Sequence, residues 1–97
     1  MDVTTFSEAR RRLIDALSSG AYGHAERGNI DTKNLLAIGA VSPEQVREVI
    51  VRCNGTHHEM SPHHTVGSVT VHVFRRDGWY IKAYFLDDNT VFISVHN

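Results

Sequence analysis

Seven histidines stand in this chain of 97 residues, and six of them follow residue 56. Around them lie Phe74 beside Arg75 and Arg76, then Tyr80, Lys82 and Tyr84 at alternate positions, and finally His96. An imidazole titrates near neutral pH and can take or give a proton in a reaction. Lysine and arginine offset phosphate charge, and aromatic rings stack on unpaired bases. These residue types suit binding of a phosphate backbone, stacking of bases and proton transfer near pH 7.

Alternation places them. Val69, Val71 and Val73 recur with period two, as do Trp79, Ile81, Ala83 and Phe85, then Val91, Ile93 and Val95. Loops of three residues, Arg76-Asp77-Gly78 and Asp87-Asp88-Asn89, pair Val73 with Ile81, Val71 with Ala83 and Val69 with Phe85. The second loop pairs Phe85 with Val91, Ala83 with Ile93 and Ile81 with Val95, leaving one apolar face. Gly78 and Asn89 then take the left-handed loop positions. The opposite face gains the rows Phe74–Tyr80–His96, His72–Lys82–Ser94 and Thr70–Tyr84–Phe92, with Arg75 and Arg76 at its end. A polar or aromatic outer sheet face with no chemistry is the plain alternative.

The first half predicts helices to cover the apolar face. Thr5 and Glu8 fit a capping box ahead of Phe6, Ala9, Leu13, Ala16 and Leu17, with a stop at Gly20. Asp31 can cap a short helix carrying Leu35, Leu36 and Ile38 up to Gly39. Ser42-Pro43-Glu44-Gln45 opens a third helix, with Val46, Val49, Ile50 and Cys53 as its buried stripe. The expected fold is a single α+β domain over residues 1–97. Helices over about 5–54 lie on one face of a three- to four-stranded antiparallel sheet over about 57–97. A strand within residues 57–61 supplies the fourth.

Composition narrows the classes. The chain is 41% hydrophobic and 22% charged, with a formal net charge of −1 and one cysteine. That charge argues against a histone-like nucleic-acid binder, and one thiol makes neither an internal disulfide nor a thiolate zinc site. The residues after Met1 run into Arg10-Arg11-Arg12 with no apolar leader, and no apolar stretch approaches membrane-spanning length. A reduced cytoplasmic setting is expected.

Several segments resemble the motility quorum-sensing regulator (MqsR) toxins. Trp79-Tyr80-Ile81-Lys82-Ala83 and Val91-Phe92-Ile93-Ser94-Val95-His96 are similar to that family's closing Tyr-x-Lys and Ser-Phe-Lys strands. Leu35-Leu36-Ala37-Ile38-Gly39 followed by Ser42 to Ile50 resembles its helical segment, and His57-His58-Glu59-Met60-Ser61 stands where it carries Phe-Tyr-Lys-Ser-Met-Thr. The resemblance covers residues 30–96 in short motifs. It implies a RelE-like fold, metal-independent cleavage of messenger RNA, no cofactor and a cognate antitoxin partner. Tyr80 matches the family's active-site tyrosine and Lys82 the neighbouring lysine. His96 replaces a terminal lysine and His58 a catalytic one, while Val71 and His72 stand at a functional glutamine and an aspartate. His58 and His96 are thus the candidates for proton transfer, with His72 in reserve. Tyr80 is placed to position phosphate or donate a proton, and Lys82, Arg75 and Arg76 to offset charge. Phe74 and Tyr84 are the candidates for stacking on RNA.

Rival readings use the same residues. His57-His58 and His63-His64 offer imidazoles to a metal, but neighbours on a strand face opposite ways, so only one of each pair would converge with His72. No Cys-x-x-Cys or His-Glu-x-x-His pattern supports that reading, and these histidines otherwise sit in a polar loop around Pro62. A non-catalytic RNA- or partner-binding module would keep the aromatic and basic face without paired imidazoles. His24 reads as a loop residue, and Cys53 as a core thiol.

Overall fold

A computed structural model describes residues 2–26 and 33–97. Helix α1 (Phe6–Ser19) starts where the Thr5 hydroxyl accepts from the Glu8 amide at 3.2 Å. It stops at Gly20, whose φ of 80° lets its N–H donate to the Ala16 carbonyl. Helix α2 (Pro43–Arg52) opens on a complete capping box. Ser42 Oγ accepts from the Gln45 amide at 3.1 Å, and Gln45 Oε1 accepts from the Ser42 amide at 2.8 Å. Both helices bury most of the predicted stripes: Ala9, Leu13, Ala16 and Leu17 in α1, with Phe6 half-buried, then Val46, Val49 and Ile50 in α2, with Cys53 buried just beyond. Residues 35–39 form a turn rather than a helix, and the Asp31 cap expected for them lies outside the described residues.

Five strands make the sheet: β1 (Gly23–His24), β2 (His58–Pro62), β3 (Thr70–Arg76), β4 (Trp79–Leu86) and β5 (Asn89–His96). Their spatial order is β1-β5-β4-β3-β2. The strands β2 to β5 run antiparallel, and β1 lies parallel to β5 through Gly23–Val91 and His24–Phe92. The sheet is therefore mixed and five-stranded, not the antiparallel three or four strands expected. The two-residue β1 carried no alternation from which to read it.

The register also differs from expectation. The β3–β4 turn is the two-residue Asp77-Gly78, with φ of 54° and 83°, which is what a type I′ hairpin needs. Arg76 pairs with Trp79, Arg75 with Tyr80, Phe74 with Ile81, Val73 with Lys82, His72 with Ala83 and Val71 with Tyr84. In the next hairpin Leu86 pairs with Asn89 across Asp87-Asp88. Asp87 rather than Asn89 is left-handed, at φ 55°. Phe85 then meets Thr90, Tyr84 meets Val91 and Ala83 meets Phe92. An irregularity beside Ile93 restores the expected Lys82–Ser94, Ile81–Val95 and Tyr80–His96 pairs.

The helix-side face carries Phe74, Ile81, Ala83, Phe85, Phe92 and Val95, packed with Leu13, Val46 and Ile50 of the helices. Filling this core with Phe74 rather than Val73 buries more apolar surface under the helices. Val71 and Val73 are buried as well, on the other face. Among the described residues no helix is long and apolar enough to cross a membrane.

Candidate active site

The corrected register sorts the predicted site residues onto two faces. Tyr80, Lys82, Tyr84 and His96 lie on the face away from the helices, joined there by Arg75. Tyr80 and His96 stack with ring centroids 5.1 Å apart and planes 14° from parallel. The Arg75 guanidinium lies 5.1 Å from the Tyr80 centroid and pairs with Glu59 Oε1 at 3.2 Å. One row thus holds a guanidinium, a phenol and an imidazole, and Lys82 projects from the next row, paired with Ser94. Such a row can hold a phosphodiester oxygen and exchange protons with it.

His58 and His72 lie on the helix side. His72 is fully buried, and its Nε2 lies 2.8 Å from the Val3 carbonyl. A carbonyl only accepts, so Nε2 carries the proton and Nδ1 keeps the lone pair. His58 Nε2 lies 2.9 Å from that Nδ1 and must donate to it, which leaves the lone pair of His58 on its own Nδ1. The rings stack 5.1 Å apart, with Phe6 and Phe74 against His58. Burial pushes both imidazoles below their ordinary pKa. The charge of His72 adds to this at His58, while the Val3 carbonyl, Asp2 and Glu8 oppose it at His72. Both are therefore neutral at pH 7, and the sheet separates them from the Tyr80 row.

Two more candidates move away. Phe74 is fully buried and cannot stack on RNA. Arg76 shares the helix-side parity and ties down the turn instead: its Nε lies 3.6 Å from Asp77 Oδ2, which also pairs with Arg52 of α2 at 3.2 Å. His24 is a half-buried strand residue rather than a loop one, with Tyr22 and Phe92 against its ring. Asn34 Oδ1 accepts from the Ala37 amide, so Asn34 Nδ2 donates to His24 Nδ1 at 3.0 Å.

Sequence reasoning missed His63, His64 and Glu26 as members of the far face. With Ala25, Ser61, Pro62, Val71, Lys82 and Ile93 they surround a recess of ≈ 380 Å³. His63 meets Tyr84 edge-on at 5.0 Å and stacks on His64 at 4.9 Å. Its Nδ1 accepts from the Thr65 and Val66 amides, both at 3.1 Å. The Pro62-His63-His64 run was visible as a cluster of imidazoles, but its face depends on the distant Tyr84. No group of three or more His, Cys, Asp or Glu among the described residues is arranged to hold a metal ion. Compared with family models, curated proteins and solved structures, the chain matches none.

Proposed function

We propose that this protein is a metal-independent endoribonuclease of the RelE/MqsR toxin type that cleaves messenger RNA by transesterification. On this reading it works in the cytoplasm and is restrained by a cognate antitoxin. The observation that carries the chemistry is the Arg75–Tyr80–His96 row beside Lys82. His96 takes the proton of a ribose 2′-hydroxyl, whose oxygen attacks the adjacent phosphorus. The bond from phosphorus to the 5′-oxygen breaks as Tyr80 gives that oxygen a proton. Lys82 and Arg75 offset the charge gathering on the phosphorane oxygens. The products are a 2′,3′-cyclic phosphate and a 5′-hydroxyl, and no oxidant or metal is needed. His58 and His72, on the other side of the sheet, have no part in this scheme.

The experiment is cleavage of a single-stranded RNA in excess EDTA by the parent chain and by the Tyr80→Phe, His96→Ala double variant. The parent is expected to cut and the double variant to lose at least about a hundredfold in rate, as for the loss of an acid–base group. Equal cleavage by both would remove the site from consideration.

A further inference from the structure

We propose that the recess bounded by Glu26, Ser61, His63, His64 and Lys82 is a pocket for one nucleobase carrying an exocyclic amino group. The inference rests on the ribonuclease reading only for which polymer brings that base. The pocket itself stands on its own geometry.

The recess, ≈ 380 Å³, lies in the size range of small-ligand sites. Val71 and Ile93 give it apolar lining, and the stacked His63 and His64 rings add a flat wall. A flat, partly apolar heterocycle fits such a space better than a sugar or a bare phosphate. The wall is held in place. The two amide bonds to His63 Nδ1 fix its ring and put the proton of the neutral form on Nε2, and Tyr84 closes against its edge. The Ala25 amide donates to the Phe92 carbonyl at 2.8 Å, anchoring the backbone next to Glu26.

Two charged groups of opposite hydrogen-bonding character reach the recess. A carboxylate at Glu26 only accepts, and the Lys82 ammonium only donates. Together they favour an N–H donor that projects beyond the ring with an acceptor on one side of it. Adenine, cytosine and guanine each offer this through an amino group next to a ring nitrogen or carbonyl. Uracil also sets an N–H beside a carbonyl, but that N–H is recessed in the ring between two carbonyl oxygens, and the second of these meets the Glu26 carboxylate with like charge. The same carboxylate disfavours an isolated phosphate dianion. Lys82 also links the recess to the phosphate row, since it stands two residues from Tyr80 on β4, about 7 Å along the strand. A nucleotide lying along β4 would set its phosphate at Tyr80 and its base in the recess.

The test is calorimetric titration of the full chain with AMP, CMP, GMP and UMP, in the parent, Glu26→Gln and Ser61→Trp. The three amino-bearing nucleotides should bind the parent at least about tenfold more tightly than UMP. Glu26→Gln, whose amide both donates and accepts, should bring all four within about twofold. Ser61→Trp, which fills the recess from an exposed position, should weaken all of them about tenfold while the melting temperature stays unchanged. Equal binding of UMP by the parent, discrimination that survives Glu26→Gln, no effect of Ser61→Trp, or no binding at millimolar nucleotide would each overturn the pocket. Discrimination without RNA cleavage would overturn the ribonuclease reading and leave the pocket standing. Cleavage without discrimination would do the reverse.

Discussion

At the level of single residues, His72 is held at both ring nitrogens. Its donation to the Val3 carbonyl and acceptance from His58 hold the N-terminal segment on β3. Asp2 adds to this by accepting from the Thr70 hydroxyl at 2.6 Å and the Thr70 amide at 3.1 Å. Burial costs the Asp2 carboxylate, yet these bonds outweigh it and hold its pKa below the ordinary value. The two imidazoles have the opposite linkage. Their folded pKa lies below the unfolded value near 6.5, so the unfolded chain binds protons first as pH falls. Their contribution is complete above about pH 6.5 and declines below it, by up to about 1.4 kcal/mol per pH unit for His72. Denaturant titrations at pH 7.5, 6.5 and 5.5 should follow that decline in the parent, and His72→Leu should flatten it. An unchanged slope in the variant would remove His72 as the source. Phe74 gives a second test. Phe74→Ala should cost about 3–5 kcal/mol of stability and leave RNA affinity unaltered at a temperature where the variant is folded. A loss of RNA affinity with no loss of stability would return Phe74 to the binding face.

Among the elements, the Asp77-Gly78 turn decides which residues share a face. Both of its residues have positive φ, so Gly78→Ala puts a Cβ into a left-handed conformation although nothing lies within 4 Å of it. The expected cost is about 1 kcal/mol, read as a lower denaturation midpoint with an unchanged slope. No change would mean that the hairpin relaxes to another turn. This turn also marks how far the sequence could be read. The capping residues Thr5 and Ser42, the stripes of both helices, the buried Cys53 and the existence of β2 to β5 follow from local chemistry, and all are found. The β3–β4 register does not follow locally. Three alternating valines read as the core face, but the helices select Phe74, while Val71 and Val73 are buried on the far side. The pairs Tyr80–His96 and Lys82–Ser94 are found where the sequence put them only because the irregularity at Ile93 compensates for a shorter second turn. His72 and Phe74 changed faces with the register, as did Arg76. His63 and Glu26 reach the recess through contacts distant in sequence, which period-two reasoning does not see.

For the molecule as a whole, the sheet is a partition. One face joins the helices in the core and carries the buried His72 with the half-buried His58, and the other presents a guanidinium, a phenol, an imidazole and an ammonium beside a recess. Among the described residues the second face carries two cationic side chains, Arg75 and Lys82, the former paired with Glu59, so phosphate contact there is local rather than the work of a broadly basic surface. The faces should therefore be separable by mutation. His72→Leu belongs to stability and its pH dependence, and Tyr80→Phe to chemistry. In the proposed scheme the Tyr80–His96 row performs transesterification without metal. End-group analysis of RNA incubated with the chain in excess EDTA reads that chemistry out. Fragments ending in a 2′,3′-cyclic phosphate are expected, formed by the parent and lost with Tyr80→Phe and with His96→Ala. Intact RNA with the parent, 3′-hydroxyl ends, or cyclic ends that persist in both variants would contradict it.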